Sequence, residues 1–379
     1  MANNIDITVT ATLADIEAAI SRLRPDAHET AGEFSARISS NRRSSYFKDI
    51  WAAIAVAAGL SSGGPARITA WGLQDWSRQD DEDGFALSYP AITALQFGAD
   101  VLTDGKSPEP LDLARVRRRI SVAGGVIGTG ARQRTVVELD PDLPRATPLT
   151  SGAGNRDAFF EFVYSILRFL EIGAMARKAP GPAGESAAKS TILEFLYELQ
   201  ANAVEHGRAS RNVRFMRLQK HLFPSRMEAL SHAADFQELT DYLAAQPERP
   251  SNRRFNLVEA SVSDFGPGIL DGFLATFAGE AHRLRPRAEL LNDLLHRQLS
   301  SKSDPNSGLG IGHALAAAQA IGAFVSLRTA EFWLVFRGRL DKEPRLFFKE
   351  GDFAKIPGTH WQLLLPDPTH VGSGDERGA

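Results

Sequence analysis

From residue 187 onwards, segments with helical spacing and segments with strand spacing follow one another in an order that restricts the fold. The order is helix, strand, helix, strand, helix, glycine cluster, helix and final strands. Each amphipathic helix must cover its apolar face, so we expect an α/β fold with helices layered on one face of a mixed sheet. The expected helices are 187–203, 227–245, 288–299 and 311–321, and the expected strands are 212–223, 255–264, 324–329, 332–340 and 361–365.

The first 150 residues have a less regular pattern, which predicts a mixed α/β domain for sensing or partner binding. Residues 47–60 are apolar on most sides, which is typical of a buried helix. We expect this N-terminal domain at 1–150, a second domain at 151–366 and a disordered tail at 367–379. Further expected elements are strands at 5–9, 67–73 and 134–140, helices at 14–23 and 159–175, and a charged loop at 77–84.

The composition excludes several classes of protein. With 379 residues, 43% hydrophobic and 23% charged, the chain has the make-up of an ordinary globular protein. A net charge of −3 gives no global attraction to nucleic acid or to anionic lipid. The absence of cysteine excludes disulfides and thiolate chemistry. The longest apolar helix candidate, 50–60, is too short to cross a bilayer, and the N-terminus lacks signal-peptide features, so we expect a cytoplasmic protein without a membrane role.

The stretch LYELQANAVEHG, residues 196–207, places a carboxylate and an amide one helical turn apart. Glu198 and Asn202 are separated by four positions and share a helix face. An amide oxygen can coordinate a hard cation such as Mg²⁺, and a carboxylate can hold and deprotonate a water molecule beside a phosphate. Taken alone, the pair favours a solvated helix face or a capping pair, and it indicates a site only in combination with other motifs.

A second cluster, SDFGPGI at 263–269, follows an apolar strand. Asp264 is expected at the end of that strand, a common position for ligand-binding residues. Gly266 and Gly268 allow backbone angles and close approaches that other residues do not. A buried carboxylate here could accept a hydrogen bond from the exocyclic amine of a purine, and the alternative is an Asp-initiated turn.

The third cluster, NSGLGIGH at 306–313, has three glycines at a spacing of two directly before a helix. Free amides and the helix dipole at such an N-terminus favour phosphate. The spacing differs from the G-x-G-x-x-G of dinucleotide-binding proteins, and the G-K-[ST] of a P-loop is absent. By itself, this glycine-rich turn is a weak signal of a site.

Together and in this order, the clusters resemble the motifs of the GHKL superfamily of ATP-binding domains, which includes the gyrase B subunit, the large heat-shock chaperone, histidine kinases and MutL. E-x-x-x-N-A at 198–203 resembles the asparagine box, D-x-G-x-G-I at 264–269 the first glycine box, and G-L-G-I-G at 308–312 the second. PGTHWQLLLP at 357–366 resembles the last box, in which a Gly-Thr pair opens the final strand. The resemblance covers about 187–366, roughly half of the chain.

This resemblance implies the Bergerat fold, an α/β sandwich with a mixed sheet covered by helices, and it implies ATP and Mg²⁺ as ligands. Asn202 would bind Mg²⁺. The residues implied at the adenine are Asp264, Gly266, Gly268 and Thr359.

The phosphates of ATP are implied to lie on the second glycine box, at Gly308, Leu309, Gly310, Ile311 and Gly312. Residues from about 270 to 307 would form a mobile lid over ATP. Lys302 is placed to reach the terminal phosphate from this lid, and the alternative is a solvated lysine on a polar loop.

Glu198 bears on the branch of the family. In the gyrase, chaperone and MutL branches the matching glutamate is the general base for hydrolysis, whereas typical histidine kinases usually lack it. The sequence NAVEHG at 202–207 most resembles that of the anti-sigma serine kinases, which also carry a glutamate at the position of Glu198. The resemblance therefore implies an ATPase that acts as a nucleotide-driven conformational switch in bacterial regulation. It leaves open a serine protein kinase acting on a separate partner, or a nucleotide-sensing adaptor that does not hydrolyse ATP.

A histidine kinase is disfavoured because it needs a phosphoacceptor histidine on a helix before the ATP domain. His28 is the one histidine in residues 1–205, and Pro25 and Gly32 make a continuous helix around it unfavourable.

Between Asn202 and Asp264 the chain departs from the family pattern in length, and this long insertion contains a basic segment at 208–226. We interpret it as a solvated basic edge, because a spacing of three does not stay on one face of a strand. The alternative is a docking surface for an acidic partner or nucleic acid. We expect a protein partner, encoded nearby or elsewhere, we do not expect nucleic acid, and a homodimer stays open. The basic residues are Arg208, Arg211, Arg214, Arg217, Lys220 and Arg226.

Overall fold

The computed structural model describes residues 3–8, 10–23, 34–39, 46–61, 66–73, 88–122, 126–127, 133–139, 156–170, 192–203, 213–246, 254–276, 280–296 and 310–366. In these residues the protein is a mixed α/β structure with one parallel sheet, one antiparallel sheet and helices. None of the helices in this part of the chain has the length and apolar character that crossing a lipid bilayer requires. The expected loop at 77–84 and tail at 367–379 lie outside the described residues.

The N-terminal part of the chain alternates strands with helices, which are β1 (Asn3–Ile7), α1 (Leu13–Arg22), β2 (Phe34–Ser39), α2 (Lys48–Leu60), β3 (Ala66–Trp71), α3 (Tyr89–Gln96), β4 (Asp100–Thr103) and α4 (Leu113–Val122). The four strands form a parallel sheet in the order β1-β2-β3-β4. Ile5 and Ile7 are buried while Asp6 between them is exposed, so the sheet is covered on one face. We call these eight elements the N-terminal layer.

Helix α2 is buried on all sides because it lies between the two sheets. Residues 50–57 each have an exposed fraction of 0%. Small residues allow the close approach: a Cβ atom on Gly59 would lie 2.2 Å from the ring of Phe34 in the parallel sheet. Toward the other sheet, Trp51 packs on Trp333 with ring centroids 4.6 Å apart. The expected buried helix at 47–60 is therefore confirmed.

The second sheet is built from β5 (Val126–Ile127), β6 (Gln133–Leu139), β7 (Val213–Phe223), β8 (Phe255–Asp264), β9 (Phe324–Ala330), β10 (Phe332–Phe336), β11 (Phe347–Phe348) and β12 (Ile356–Pro366). Their order is β11-β10-β9-β12-β8-β7-β6-β5, and each neighbouring pair is antiparallel. The expected mixed sheet is wrong, because apolar spacing identifies a strand without fixing the direction in which it enters the sheet. Strands β5 and β6 join this sheet although they precede residue 150.

Helices cover both faces of the antiparallel sheet. They are α5 (Arg156–Phe169), α6 (192–203), α7 (Arg226–Ser231), α8 (Gln237–Ala244), α9 (Gly268–Thr276), α10 (Glu280–Arg283), α11 (Arg287–His296) and α12 (Gly310–Ile321). The front face, marked by Val258 and Val262 of β8, shares a core with α5, α6, α9, α11 and α12. The back face, marked by Phe255 and Leu257, shares a core with the N-terminal layer, α7 and α8. The expected arrangement with helices on one face only is wrong, because the N-terminal layer covers the back face.

Strand β7 carries the basic residues expected to form a solvated edge, but it lies inside the sheet between β6 and β8. Arg214, Arg217 and Lys220 are only 4%, 2% and 8% exposed. For these three residues, both the solvated edge and the docking surface for an acidic partner or nucleic acid are therefore wrong. Two further members of the segment, Arg208 and Arg211, lie outside the described residues.

Ion pairs made by two buried arginines connect the back face to the N-terminal layer. The Nη1 atom of Arg217 lies 3.0 Å from Oδ2 of Asp49 in α2. The Nη2 atom of Arg328 in β9 lies 2.7 Å from Oε1 of Glu17 in α1. In both pairs the sheet supplies the cation and the N-terminal layer supplies the carboxylate, so each charge removed from water has a partner across the interface.

Glu259 of β8 is the most deeply buried acid of the back face, with an exposed fraction of 0%. Its Oε2 atom lies 2.9 Å from Nε2 of His221 and accepts a hydrogen bond from the Phe47 N–H at 3.4 Å. Burial alone would raise the pKa of Glu259, but the charge of Arg217 and the contact with His221 lower it below its ordinary value. Glu259 is therefore a buried carboxylate whose ionisation depends mainly on Arg217.

Replacing Arg217 by methionine is expected to lower the free energy of unfolding by about 3 to 5 kcal/mol, because the Glu259 carboxylate would stay buried without its main cation. Urea denaturation measures this change. Arg37→Met is the control: the Arg37 side chain is 53% exposed and lies 3.9 Å from Asp6, and its loss is expected to cost less than about 1 kcal/mol. Equal losses in the two variants would contradict the importance of the buried pair.

Candidate functional site

Four polar residues lie side by side across adjacent strands of the front face. The register pairs Arg214 of β7 with Asp264 of β8, and Asp264 with Thr359 of β12. Thr359 is paired in turn with Thr329 of β9. Side chains at directly paired positions project to the same face, with Cβ atoms about 4.5 to 5.5 Å apart. We call these four residues the polar row.

The polar row is buried, although the neighbouring row on the same face is apolar. The exposed fractions of Arg214, Asp264, Thr359 and Thr329 are 4%, 2%, 5% and 0%. The neighbouring row consists of Met216, Val262, Trp361 and Leu327. Packing of the core accounts for the apolar row but not for two buried charged groups, so the polar row is the first candidate for function on this face.

Hydrogen bonds fix the carboxyl group of Asp264 and the hydroxyl group beside it. The Gly266 N–H donates to Oδ1 of Asp264 at 3.1 Å, and the Thr359 side chain also hydrogen-bonds to this carboxyl group. The Oγ1 atom of Thr359 accepts a hydrogen bond from the Ile269 N–H at 3.1 Å. The turn after β8 is thereby held against the start of β12.

Two glycines allow these segments to approach each other. Gly358 has φ +85°, and a Cβ atom there would lie 1.9 Å from the carbonyl oxygen of Asp264. Gly268 has φ +79°, and its Cβ atom would lie 2.6 Å from the carbonyl oxygen of Gly358. The Thr329 hydroxyl donates to the same carbonyl at 3.0 Å. The sequence predicted that Gly268 would allow a ligand to approach closely. The group that approaches Gly268 is instead the backbone of Gly358.

Burial raises the pKa of Asp264 to about 7, against the opposing effects of the Gly266 N–H, the Arg214 charge and the Thr359 hydrogen bonds. At neutral pH this carboxyl group therefore exists in both forms. The ionised form accepts hydrogen bonds and the protonated form can donate one. A buried carboxyl group with a shifted pKa and a specific charged neighbour is typical of a functional site.

Helix α6 brings Glu198 and Asn202 to the edge of the front core. Leu196 and Leu199 are buried beneath them, whereas Glu198 and Asn202 are half-buried. Among the described residues, the Nδ2 atom of Asn202 is buried without a hydrogen-bond partner. The expected helix with both polar side chains on one face is confirmed.

Helix α12 contains the last three residues of the second glycine box and packs on the same core. It begins at Gly310, and Ile311 and Gly312 follow in its first turn. Gly312 is exposed, and no atom of the described residues lies within 4 Å of a Cβ atom built on it, whereas Leu315 is buried in the front core. The predicted residues Gly308, Leu309 and Lys302 lie outside the described residues.

Both ends of the described part of the expected lid segment are packed into the core. Residues 268–296 include α9, α10 and α11, and Leu270 and Leu290 each have an exposed fraction of 0%. Arg287 of α11 joins Asp271 of α9 at 2.9 Å and Glu331 at 2.5 Å. A lid beginning at residue 270 is therefore wrong, because burying these leucines ties the segment to the sheet. The remainder, 297–307, lies outside the described residues.

The structure brings Asp264, Gly266, Gly268 and Thr359 into direct contact, and it places Glu198, Asn202 and Gly310 on helices that share the core of the front face. Sequence reasoning did not identify three residues of this region as members of the site. Arg214 and Thr329 belong to the polar row, and Gln200 of α6 is 2% exposed with neither amide atom hydrogen-bonded in the described part of the chain. Alternation along β7 could have identified Arg214, since it has the same parity as the core residues Met216 and Leu218.

Comparisons of the chain with protein-family models, with curated proteins and with solved structures gave no match. A functional assignment therefore depends on the geometry of the polar row, α6 and α12.

Replacing Gly358 by alanine is expected to lower the free energy of unfolding by more than about 2 kcal/mol, because the new Cβ atom would collide with the backbone of Asp264 in a left-handed conformation. Gly312→Ala is the matched control. Its Cβ atom would enter open space inside a helix, so we expect a gain of about 0.5 to 1 kcal/mol. Thermal unfolding compares the two variants. A Gly358→Ala protein as stable as the wild type would show that the loops are not interlocked.

Proposed function

We propose that this protein binds ATP with Mg²⁺ on the front face, between the polar row, α6 and the first turn of α12, and uses the nucleotide as a conformational switch. The observation that carries the proposal is the buried Asp264 carboxyl group, held by Gly266 and Thr359 on the face that packs against α6 and α12. We further propose that this part of the chain has the Bergerat fold. The order of the motifs along the chain and the core that they share support this proposal. The wholly antiparallel sheet and the covered back face go beyond what that resemblance implies.

Asp264 is proposed to select the base. In its ionised form, the carboxylate accepts a hydrogen bond from the exocyclic amine of adenine. Because the carboxylate is buried, a base without this amine would leave it unpaired, which costs more than losing a hydrogen bond in water. Selectivity for an amino-purine would thus follow from burial as much as from the contact itself.

Asn202 and the first turn of α12 are proposed to hold the metal and the phosphates. In the described residues, no group of three or more His, Asp or Glu side chains is arranged to hold a metal ion. This suits Mg²⁺, which keeps several waters and shares phosphate oxygens with one or two protein ligands, and which would neutralise phosphate charge when bound. The N–H groups and dipole of α12 favour phosphate, and Gly312 leaves space for it. Gly308, Leu309 and Lys302 are proposed to complete this part of the site.

Glu198 is proposed as the general base. It lies one helical turn before Asn202 and is half-buried, so a water molecule held by its carboxylate would lie beside phosphates bound near Asn202. Deprotonation of that water leads to hydrolysis of ATP. Bound ATP and its products would then stabilise different conformations, which is the basis of a switch.

Asp264→Asn is expected to lower the affinity for ATP about tenfold or more, because an amide cannot replace the ionised acceptor. Calorimetric titration with ATP and with purine riboside triphosphate, which lacks the amine, separates base recognition from phosphate binding. The wild type should prefer ATP, and the variant should not discriminate. Tight and selective ATP binding by the variant would reject the role of Asp264.

The same variant tests a pH dependence. The pKa of Asp264 in the folded protein is about 7, above its ordinary value of 3.8, so this group stabilises the free protein fully below 3.8 and loses that contribution as pH rises through about 7. ATP affinity should have the opposite dependence and rise through the same range, because the ionised form accepts the hydrogen bond from the amine more strongly than the protonated form. Asp264→Asn should remove both dependences, as measured by Tm and by Kd against pH.

Glu198→Gln is expected to bind ATP as the wild type does but to turn it over about 10² to 10⁴ times more slowly, since the amide cannot take a proton. Glu194→Gln is the matched control: Glu194 lies one turn earlier on α6, where it pairs with Arg156, and turnover should be kept. Phosphate release measures both. Equal turnover in wild type and Glu198→Gln would remove Glu198 from the mechanism, and label transfer to a serine of a second protein would indicate a kinase.

A further inference from the structure

Arg214 and Asp264 are charged residues of opposite sign at directly paired positions of β7 and β8. Met216 and Leu218 have the same parity as Arg214 and lie in the front core, so Arg214 also projects to the front face. Arg214 is 4% and Asp264 2% exposed. The two charged groups are therefore neighbours in a region from which bulk water is excluded.

The groups around Asp264 make Arg214 its charged partner. From β12 the neighbour is Thr359, and from the following turn it is the Gly266 N–H, and both are uncharged. Across the front core, α6 carries the half-buried Glu198. On the far side of β7, Glu138 of β6 is paired in register with Arg214.

Burial and the Arg214 charge act on Asp264 in opposite directions. Burial raises the pKa of Asp264 to about 7, and the charge of Arg214 lowers it. An opposite charge within about 4 to 6 Å typically lowers a carboxyl pKa by about one to three units. Arginine suits the task, because its guanidinium stays protonated even when it is buried.

We propose that Arg214 is a positioning residue of the nucleotide site, whose charge favours the ionised form of the Asp264 carboxyl group, the form that accepts a hydrogen bond from the base most strongly. The identity of the ligand rests on the proposed function. The effect of Arg214 on Asp264 needs no ligand, so it can be measured separately.

The charge of Arg214 should also affect which base the site prefers. Without the Arg214 charge, Asp264 would be protonated at neutral pH and would present an O–H donor to the base. A donor matches the 6-carbonyl of hypoxanthine and opposes the 6-amine of adenine. Loss of Arg214 should therefore weaken binding of ATP and shift the preference toward ITP, and raising the pH should restore the preference for ATP.

The experiment compares wild type, Arg214→Gln, Arg214→Met and Arg214→Lys, each checked for folding by circular dichroism. The Asp264 carboxyl is titrated by ¹³C NMR in aspartate-labelled protein without nucleotide, and its resonance is assigned by its loss in Asp264→Asn. Affinities for ATP and ITP are measured by calorimetry across the same pH range. Arg217→Gln is the matched control, because it removes a buried arginine of the same strand that projects to the back face.

We expect Arg214→Gln and Arg214→Met to raise the pKa of Asp264 by about one to three units, with a loss of ATP affinity at neutral pH of about fivefold for the first unit and about tenfold for each further unit. Arg214→Lys should keep the titration and the preference for ATP, and Arg217→Gln should leave the titration of Asp264 unchanged. An unchanged pKa of Asp264 in either neutral variant would overturn the proposal. So would loss of ATP binding in Arg214→Lys while Asp264 stays ionised, a result that does not require the neutral variants to fold.

These measurements distinguish failure of ATP binding from failure of the positioning role of Arg214. If the wild type binds neither ATP nor ITP, the proposed function is wrong, and the titration of Asp264 still decides the role of Arg214. If ATP binds and the titration ignores Arg214, the proposed function stands and the positioning role does not.

Discussion

Strand β8 is buried along its whole length, and the rest of the structure is arranged around the need to cover its two faces. Each face carries one acid, Glu259 at the back and Asp264 at the front. A carboxylate removed from water needs a cation or several donors. Strand β7 supplies both cations, because its alternation sends Arg217 to the back face and Arg214 to the front face. Strands β7 and β8 are therefore joined by attraction between the arginines of β7 and the acids of β8 as well as by backbone hydrogen bonds.

The two acids of β8 face different environments and differ in ionisation. Around Glu259, the charge of Arg217 and the contact with His221 outweigh burial, and the pKa falls below its ordinary value. Around Asp264, burial outweighs the opposing effects of Gly266, Arg214 and Thr359, and the pKa rises to about 7. Glu259 thus fits a permanent structural charge that holds the N-terminal layer. Asp264 has the properties expected of a ligand-binding group, since a bound hydrogen-bond donor would stabilise its ionised form.

The elements of the chain followed from its local patterns far better than their arrangement did. The buried helix α2, the strand β8 and the helix α12 lie within a few residues of their predicted positions, because apolar spacing and glycine placement are local properties. The direction of the strands and the covering of the back face did not follow, since apolar spacing is the same for a parallel and an antiparallel strand. In the candidate site, Asp264 and Thr359 were found from their motifs, whereas Arg214 and Thr329 have no motif and became visible only through the register.

By itself, the sequence determined the approximate positions of most helices and strands after residue 187, the preference for glycine at Gly268, and which motifs carry carboxylate and amide groups. Only the tertiary structure decided that the basic residues of β7 are buried rather than solvated. The reason is that burying a charge depends on where its counter-charge lies, and the partner of Arg217 is Asp49, 168 positions away in the chain. No local pattern can report that distance, because folding alone brings the two residues together.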